Sequence, residues 1–136
     1  MDPAGISVER TLPIDGALLD DVLLRLRRDC AASALRWTLG DRGTAEVDVS
    51  FTSSGPLWTA AARLWSPGAP AVAAATLMVQ ATHDDEVQLT LEPTLPLGPG
   101  WEERMPELHA LAHAAVDELG EELLWHAARA GLTAGG

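Results

Sequence analysis

The feature that most constrains this fold is a stretch from Ala45 to Ala81 in which apolar and polar residues alternate. Along this stretch, the positions that should face inward become rich in alanine. At its start, apolar residues occupy every second position and polar residues fill the gaps, as a half-buried antiparallel strand requires. Further along, positions that Val or Ile would normally fill in a sheet carry short side chains: Ala60, Ala62, Ala71, Ala73 and Ala75. Alanine on the inner face of a sheet predicts a hollow beneath it.

The cost of leaving such a hollow empty limits what the chain can do with it. A dry void of about 300 Å³ would cost on the order of 7 kcal/mol, at roughly 24 cal/mol per Å³. That loss is comparable with the net stability of a whole domain. Two outcomes therefore stay open: the helices close onto the alanine residues, or water or a ligand fills the space.

The rest of the chain supplies a strand and a helix before this stretch, and a strand and a long helix after it. The apolar periodicity predicts strands at 6–12, 35–39, 45–52, 57–65, 71–82 and 87–93, and helices at 16–32 and 101–130. Asp15 is a suitable N-cap for the first helix, and Pro106 is tolerable only in the first turn of the second. A helix is an alternative at 71–82 because alanine favours it, but the Pro/Gly turns on either side favour a strand.

This order of elements predicts an α+β fold in a single domain over residues 1–136. A curved antiparallel sheet of about six strands grips a long C-terminal helix, and one N-terminal helix follows the first strand. On the long helix, one apolar stripe lies within about 60° of Leu108 at 100° per residue. Its members are Ala112, Ala115, Leu119, Leu123 and His126.

Composition excludes several classes of function. The formal net charge of −11 repels nucleic acid phosphates and anionic lipid head groups, and no long apolar run predicts a membrane span. The single Cys30 allows no internal disulfide, and with no signal peptide pattern at the N-terminus we expect a cytoplasmic protein. The chain contains no Lys, Tyr or Asn, which removes the Schiff-base lysine, the tyrosine acid and the asparagine oxyanion donor.

Two segments carry a resemblance to a known superfamily. They are ISVERTLPIDGALLDDVLLRL at the start, and VQLTLEPTLPLGPGWEERMPELHALAHAAVDELGEELL, a last strand that leads through a Pro/Gly link into a long amphipathic helix. With the meander between them, the chain resembles the helix-grip superfamily, the START-like or SRPBCC group that includes polyketide cyclase-like proteins and the birch-pollen allergen family. The resemblance implies a pocket for an apolar small molecule between the sheet and the C-terminal helix.

We therefore expect a protein that binds an apolar or aromatic ligand or lipid, without a cofactor. Three aromatic residues, Trp37, Phe51 and Trp58, have inward parity, and a flat apolar ligand would suit them. The alternative is that these rings only supply the core bulk that the alanines omit. The residues expected to line the pocket are Trp37, Phe51, Trp58, Leu77, Leu89, Trp101, Met105, Leu108, Ala112 and Leu119.

An enzyme of the polyketide cyclase or dehydratase kind is an alternative function. His126 lies on the core stripe with Glu122 one turn earlier, so this imidazole is a candidate general base oriented by a carboxylate. Arg63 becomes an anion anchor only if the parity of its strand is reversed. His109, His113 and Asp117 repeat at intervals of four but rotate away from the apolar stripe, so we predict a solvated face and no metal site.

A third alternative has no pocket. Trp65 lies on the outward parity of its strand, and Trp125 lies off the apolar stripe of the long helix, next to Leu124. Exposed aromatic and apolar side chains of this kind predict an interaction module that forms a homodimer or docks onto another protein.

Overall fold

The computed structural model describes residues 7–30, 34–39, 41, 43–67, 72–94 and 100–135, without the side chains of residues 102 and 130–135. Its architecture is α+β, as predicted: a curled antiparallel sheet with a long C-terminal helix and a shorter helix after the first strand. The strands are β1 (Val8–Leu12), β2 (Ala34–Thr38), β3 (Thr44–Asp48), β4 (Thr52–Ser54), β5 (Leu57–Trp65), β6 (Ala73–His83) and β7 (Glu86–Pro93). The helices are α1 (Leu19–Asp29) and α2 (Met105–Gly135).

The strands pair in the order β1-β7-β6-β5-β3-β2, and β4 also pairs with β5. The segment predicted at 71–82 is a strand, β6, within the residues described, so the helical alternative is wrong there. Alternation and the flanking turns outweigh the helix propensity of alanine, because each inward side chain of β6 packs into the core. Residue 71 itself lies outside the described residues.

The predicted strand at 45–52 is divided in two. Val47 pairs with Ala62 and Thr52 pairs with Thr59, so four residues, 48–51, stand opposite only two residues of β5. Two extra residues therefore bulge out of the ladder, and the Asp48 carboxylate accepts a hydrogen bond from the Ser50 backbone N–H at 2.8 Å. The sheet has seven strands for this reason, where the sequence predicted about six.

Both helices begin with a short 3₁₀ turn. Gly16–Leu18 precedes α1, and the Asp15 side chain accepts a hydrogen bond from the Ala17 N–H at 2.9 Å, which confirms the predicted cap. The α1 helix ends at Asp29, before the predicted end at 32, and Cys30 is extended. In α2, Pro106 is the second residue, where its missing N–H costs no helical hydrogen bond.

The core lies between the concave face of the sheet and α2, which contacts β1, β3, β5, β7 and α1. The predicted apolar stripe of α2, including His126, is buried. The inward alanines are sealed as well: Ala45, Ala60, Ala62, Ala73 and Ala75 are each exposed by 6% or less. The space beneath these positions is therefore filled by the core rather than left open. The helix α2 contacts β3 and β5, which carry Ala45, Ala60 and Ala62, in line with the first of the two outcomes that the sequence left open.

One charged side chain crosses this apolar layer. Arg10 is on the inward parity of β1, and its guanidinium donates to the Asp117 backbone carbonyl of α2 at 2.9 Å and to the Glu121 carboxylate at 3.0 Å. A Cβ at Gly120 would lie 2.6 Å from Nη1 of Arg10. Gly120 therefore provides the space through which the arginine reaches the helix.

Candidate functional site

The strand register separates the three aromatic residues that the sequence grouped into one pocket. Trp37 is opposite Ala45, which is opposite Leu64 on β5, whereas Trp58 lies six residues before Leu64 on the same strand. Six residues of strand span about 20 Å. Trp37 and Trp58 therefore lie toward opposite ends of the sheet.

Phe51 and Trp58 do come together. Phe51 is the last residue of the break between β3 and β4, and the next two residues, Thr52 and Ser53, pair with Thr59 and Trp58. Both aromatic side chains pack against the core but stay partly exposed. We call this part of the molecule, residues 48–51 with Trp58, the bulge end of the sheet.

Accessibility divides the predicted pocket residues into two groups. In the first, each residue is exposed by 1% or less, so no space large enough for a water molecule touches it: Leu77, Leu89, Trp101, Leu108, Ala112 and Leu119. Met105 is also buried. Only Trp37, Phe51 and Trp58 of the predicted set have accessible surface beyond that of buried residues. A ligand can reach the first group only if α2 moves away from the sheet.

His126 lies on the buried side of α2, 4% exposed, with the Trp125 ring edge-on to its imidazole at a centroid distance of 4.8 Å. Its Nδ1 atom makes no hydrogen bond to any residue that the structure describes. Burial lowers the pKa of this imidazole, against the smaller, opposite effects of the Asp29 and Glu122 carboxylates; Arg129 and Arg25 lower it further. The neutral form of His126 is therefore favoured in the folded protein.

The carboxylate that lies nearest to His126 is not the predicted one. Oδ2 of Asp29, at the end of α1, is 3.8 Å from Nδ1, a pair that becomes ionic only when the imidazole is protonated. Sequence reasoning named Glu122 because it is one turn away on the same helix, and missed Asp29 because only the packing of α1 on α2 brings it there. No sequence signal for this contact was available in one chain.

A short path of contacts connects His126 to the bulge end. Asp29 is followed by Cys30, whose Sγ lies 3.7 Å from the Ala34 carbonyl at the start of β2. Ala34 pairs with Asp48, the first residue of the break that contains Phe51. The imidazole, the end of α1 and the two aromatic rings of the bulge end are thus on the same side of the molecule.

Arg63 lies on the opposite face of the sheet. The parity of β5 is not reversed, so this side chain points away from α2, and its Nη1 contacts the Glu46 carboxylate at 2.6 Å. Arg36 contacts the other oxygen of Glu46 at 2.6 Å, and this hydrogen bond is the largest cause of the lowered pKa of Glu46. Arg63 is therefore one member of an ion-pair ladder over β2, β3 and β5, and it does not face the core as a catalytic anchor would.

The His109, His113 and Asp117 series lies along the outer side of α2. His109 and His113 are exposed, and Nδ1 of His113 is 3.2 Å from an Asp117 carboxylate oxygen. Within the ranges that the structure describes, no group of three or more His, Cys, Asp or Glu side chains converges as a metal site would.

The three residues of the predicted interaction module differ in exposure. Trp125 is 52% exposed, and Leu124 is partly buried. Trp65 is also only partly buried, but the Arg36 guanidinium lies over its ring at 5.5 Å, so this ring already has a partner within the chain. The three do not form one surface, because Trp65 is on the outer face of the sheet and the other two are on α2.

No family model matches this sequence, and no curated protein matches it. Among solved structures, the chain is similar to hypothetical protein jhp0584 from Helicobacter pylori, with a TM-score of 0.38 and 13% identity over 89% of this chain and 86% of that one. It is also similar to the di-domain ARO/CYC StfQ from the steffimycin biosynthetic pathway, with a TM-score of 0.32 and 13% identity over 85% of this chain. The chain spans 45% of the length of StfQ.

The class of fold is defined by the chain's own geometry. A curled antiparallel sheet that wraps a long C-terminal helix, with β1 beside the last strand, fits the helix-grip arrangement. Within the described part of the chain, no helix combines the length and the apolar character that crossing a membrane requires. The domain boundaries and the cytoplasmic location stay predictions.

Proposed function

We propose that this chain binds an apolar or aromatic small molecule at the bulge end of its helix grip, in contact with Phe51 and Trp58. One observation carries the proposal. These two inward-facing rings keep accessible surface, whereas their neighbours on the same face, Val49, Ala60 and Val79, are buried. Aromatic faces at a partly open end of a core offer a flat ligand both apolar area and stacking.

The chemistry around these rings suggests the class of ligand. Nδ1 of His126, on the same side of the molecule, has no hydrogen-bond partner among the described residues, but it is buried and is not open to a ligand at the two rings. The two aromatic faces therefore set the ligand chemistry, and they suit a flat apolar molecule. In this proposal the buried residues of the predicted set form the wall behind the ligand. They are Leu77, Leu89, Trp101, Leu108, Ala112 and Leu119.

Binding is supported better than catalysis. The cyclase or dehydratase alternative relies on His126, whose side chain is buried and not open to a substrate, and on Arg63, which lies on the far face of the sheet. The proposal for binding requires only the accessible aromatic surface that Phe51 and Trp58 provide.

A matched pair of tryptophan variants tests the proposal with the neutral fluorescent probe N-phenyl-1-naphthylamine. We expect saturable binding to the unmodified chain, and Trp58→Ala should weaken it about 2- to 13-fold, because a lost aromatic contact is worth about 0.5–1.5 kcal/mol beyond its area. Trp37→Ala is the control, because it removes the same side chain from the same face about 20 Å away. Its Kd should equal that of the unmodified chain.

Two results would contradict the proposal. One is the absence of saturable probe binding by a chain whose circular dichroism shows that it is folded. The other is an equal loss of affinity in the Trp37 and Trp58 variants. Native mass spectrometry of freshly purified protein then identifies any small molecule that the chain retains.

A further inference from the structure

His126 is a buried residue that the proposed ligand site does not use. Within the described part of the chain, it is the only buried residue with a titratable side chain, and that side chain is 5% exposed. Its Nδ1 atom makes no hydrogen bond to any described residue. A buried polar nitrogen without a partner costs free energy, so its place in the core calls for a physical reason.

The imidazole lies at the junction between the two helices, where the last turn of α1 packs on α2. We call residues 26–30 the α1 end. Oδ2 of Asp29 is 3.8 Å from Nδ1 of His126, which is too far for a hydrogen bond, and the Asp29 side chain is 48% exposed. Water therefore reaches the carboxylate but not the imidazole beside it, so a small outward movement of the α1 end would hydrate His126.

The charged side chains that act on this imidazole come from both helices. Asp29 and Glu122 favour its protonated form, and Arg129 and Arg25 oppose it. Burial has a larger effect than any of these charges, and it lowers the pKa of His126 below the ordinary value of 6.5. A proton on His126 is therefore unfavourable for as long as the α1 end covers the imidazole.

The α1 end is the part of the junction that opens at the lowest cost. The helix α1 has 11 residues, and in its last turn Leu26 is buried, whereas Arg27, Arg28 and Asp29 are exposed. The Cys30 N–H donates to the Leu26 carbonyl at 3.1 Å and closes this turn. Opening one turn breaks few apolar contacts, whereas global unfolding exposes the whole core, so local opening requires much less free energy.

We infer that this junction is an acid-sensitive switch: when His126 takes up a proton, the α1 end separates from α2 while the sheet stays folded. The imidazolium then gains water, which removes the cost of keeping a cation in the core. The movement extends to β2, because Sγ of Cys30 lies 3.7 Å from the Ala34 carbonyl at the start of that strand. A fall in pH is thereby converted into the displacement of one helix end.

Hydrogen exchange measured by NMR tests this inference in the unmodified chain at pH 7.5 and at pH 5. The exchange rate of each amide is compared with that of an unstructured peptide at the same pH, so that the chemical effect of pH on exchange cancels. Protection of the Cys30 N–H should fall on acidification by up to about 30-fold, a limit set by the ordinary pKa of 6.5 in the opened form. Amides of β6 should keep their protection, because the sheet stays folded.

A matched pair of histidine variants identifies the group that responds to pH. His126→Gln removes the proton acceptor, and protection of the α1 end should then be the same at both pH values. His109→Gln is the control, because it makes the same substitution on the exposed side of α2. This control should keep the full acid response of the unmodified chain.

Asp29→Asn gives a second readout that leaves the imidazole in place. It removes the carboxylate that favours the cation while the α1 end is closed. Protection of the α1 end at pH 5 should therefore fall at least as far as in the unmodified chain. A carboxylate does not stabilise the C-terminal end of a helix, so protection at pH 7.5 should not fall.

Three results would overturn the inference. The first is protection of the Cys30 N–H that is the same at both pH values. The second is a parallel loss of protection in β6, which would mean global unfolding. The third is an acid response that His126→Gln leaves unchanged or that Asp29→Asn abolishes. Probe binding is measured at pH 7.5, where the α1 end is closed, so failure of the switch and failure of the proposed ligand site are separate results.

Discussion

At the residue scale, His126 shows which features of a site can be predicted from one sequence and which cannot. Helical periodicity predicts that this imidazole is on the core side of α2, and it is buried there. The neighbour within one turn, Glu122, was visible in the sequence. Asp29 lies 97 positions earlier, and only the contact between α1 and α2 places its carboxylate 3.8 Å from Nδ1.

The environment of His126 leads to a prediction about pH. Burial lowers the pKa of the folded imidazole below its ordinary value of 6.5, so the unfolded chain binds the proton more readily than the folded chain. Stability is therefore fully present above about pH 6.5 and falls as the pH drops from there through the folded pKa. His126→Gln removes this titration, and the melting temperature between pH 7.5 and 5 should decline less steeply than in the unmodified chain.

The control for this experiment is His109→Gln, on the exposed side of the same helix. It changes the same functional group without touching the buried site. An equal slope of melting temperature against pH in the His126 variant and in the unmodified chain would show that the buried imidazole does not couple folding to protons.

At the element scale, the packing of α2 against β1 depends on Gly120, a residue that the apolar periodicity of α2 does not mark. Arg10 stands on the apolar, inward parity of β1, but the sequence alone does not show where its guanidinium goes. Gly120 was overlooked because a glycine within a helix has no distinctive pattern, although an isolated one often marks a close approach. The distance of 2.6 Å from its missing Cβ to Arg10 Nη1 explains why it is there.

Gly120→Ala tests this crossing, because two effects of opposite sign compete. Alanine should stabilise the helix by about 1 kcal/mol, whereas displacing Arg10 from the Asp117 carbonyl costs about 1.5–3 kcal/mol for a charge-assisted hydrogen bond. The net result should be a loss of about 0.5–2 kcal/mol, measured by urea unfolding.

The same substitution in an Arg10→Ala background should have the opposite sign. With the guanidinium absent, only the 3.2 Å approach to Leu12 opposes the gain in helix propensity, and Gly120→Ala should then stabilise the chain. A loss of similar size in both backgrounds would exclude Arg10 as the reason for the glycine.

The strand predictions succeeded where alternation alone decides the structure. The strand predicted at 57–65 is β5 with the same bounds, because turns on both sides limit it and each inward residue is buried or packs against the core. The predicted strand at 45–52 is interrupted because the bulge depends on the register with β5, which periodicity within one segment cannot reveal.

At the scale of the whole molecule, the alanine-rich inner face is closed rather than hollow along the positions that the structure describes. Ala62 on β5 lies at the centre of this face, because it pairs with Val47 of β3 on one side and with Ala75 of β6 on the other. If the helix is packed directly on this strip, Ala62→Leu adds volume where none is free and should cost about 1–3 kcal/mol of the free energy of unfolding. A hollow beneath the sheet would instead accept the larger side chain and gain stability, so the sign of the change in a urea titration decides between them.

The candidate site could be predicted only in part for a related reason. Parity correctly places Phe51 and Trp58 toward the core, but it also groups them with Trp37, because it says which face a residue occupies and not how far along the sheet it lies. The pairing of β2, β3 and β5 supplies that second coordinate. The exposure of each aromatic side chain then depends on how far α2 covers the inner face of the sheet. That coverage is set by tertiary packing, which no local sequence pattern encodes.

The contribution of α2 to the core has a consequence for the order of events during synthesis. The sheet is complete once Pro93 has been added, yet the covering for its concave face is the 31-residue α2, which comes later. At about 5–20 residues per second, a ribosome needs roughly 2–6 s to add this helix. For that interval the apolar lining of the sheet lacks the helix that covers it in the native fold, and exposed apolar surface of this kind favours aggregation of a nascent chain.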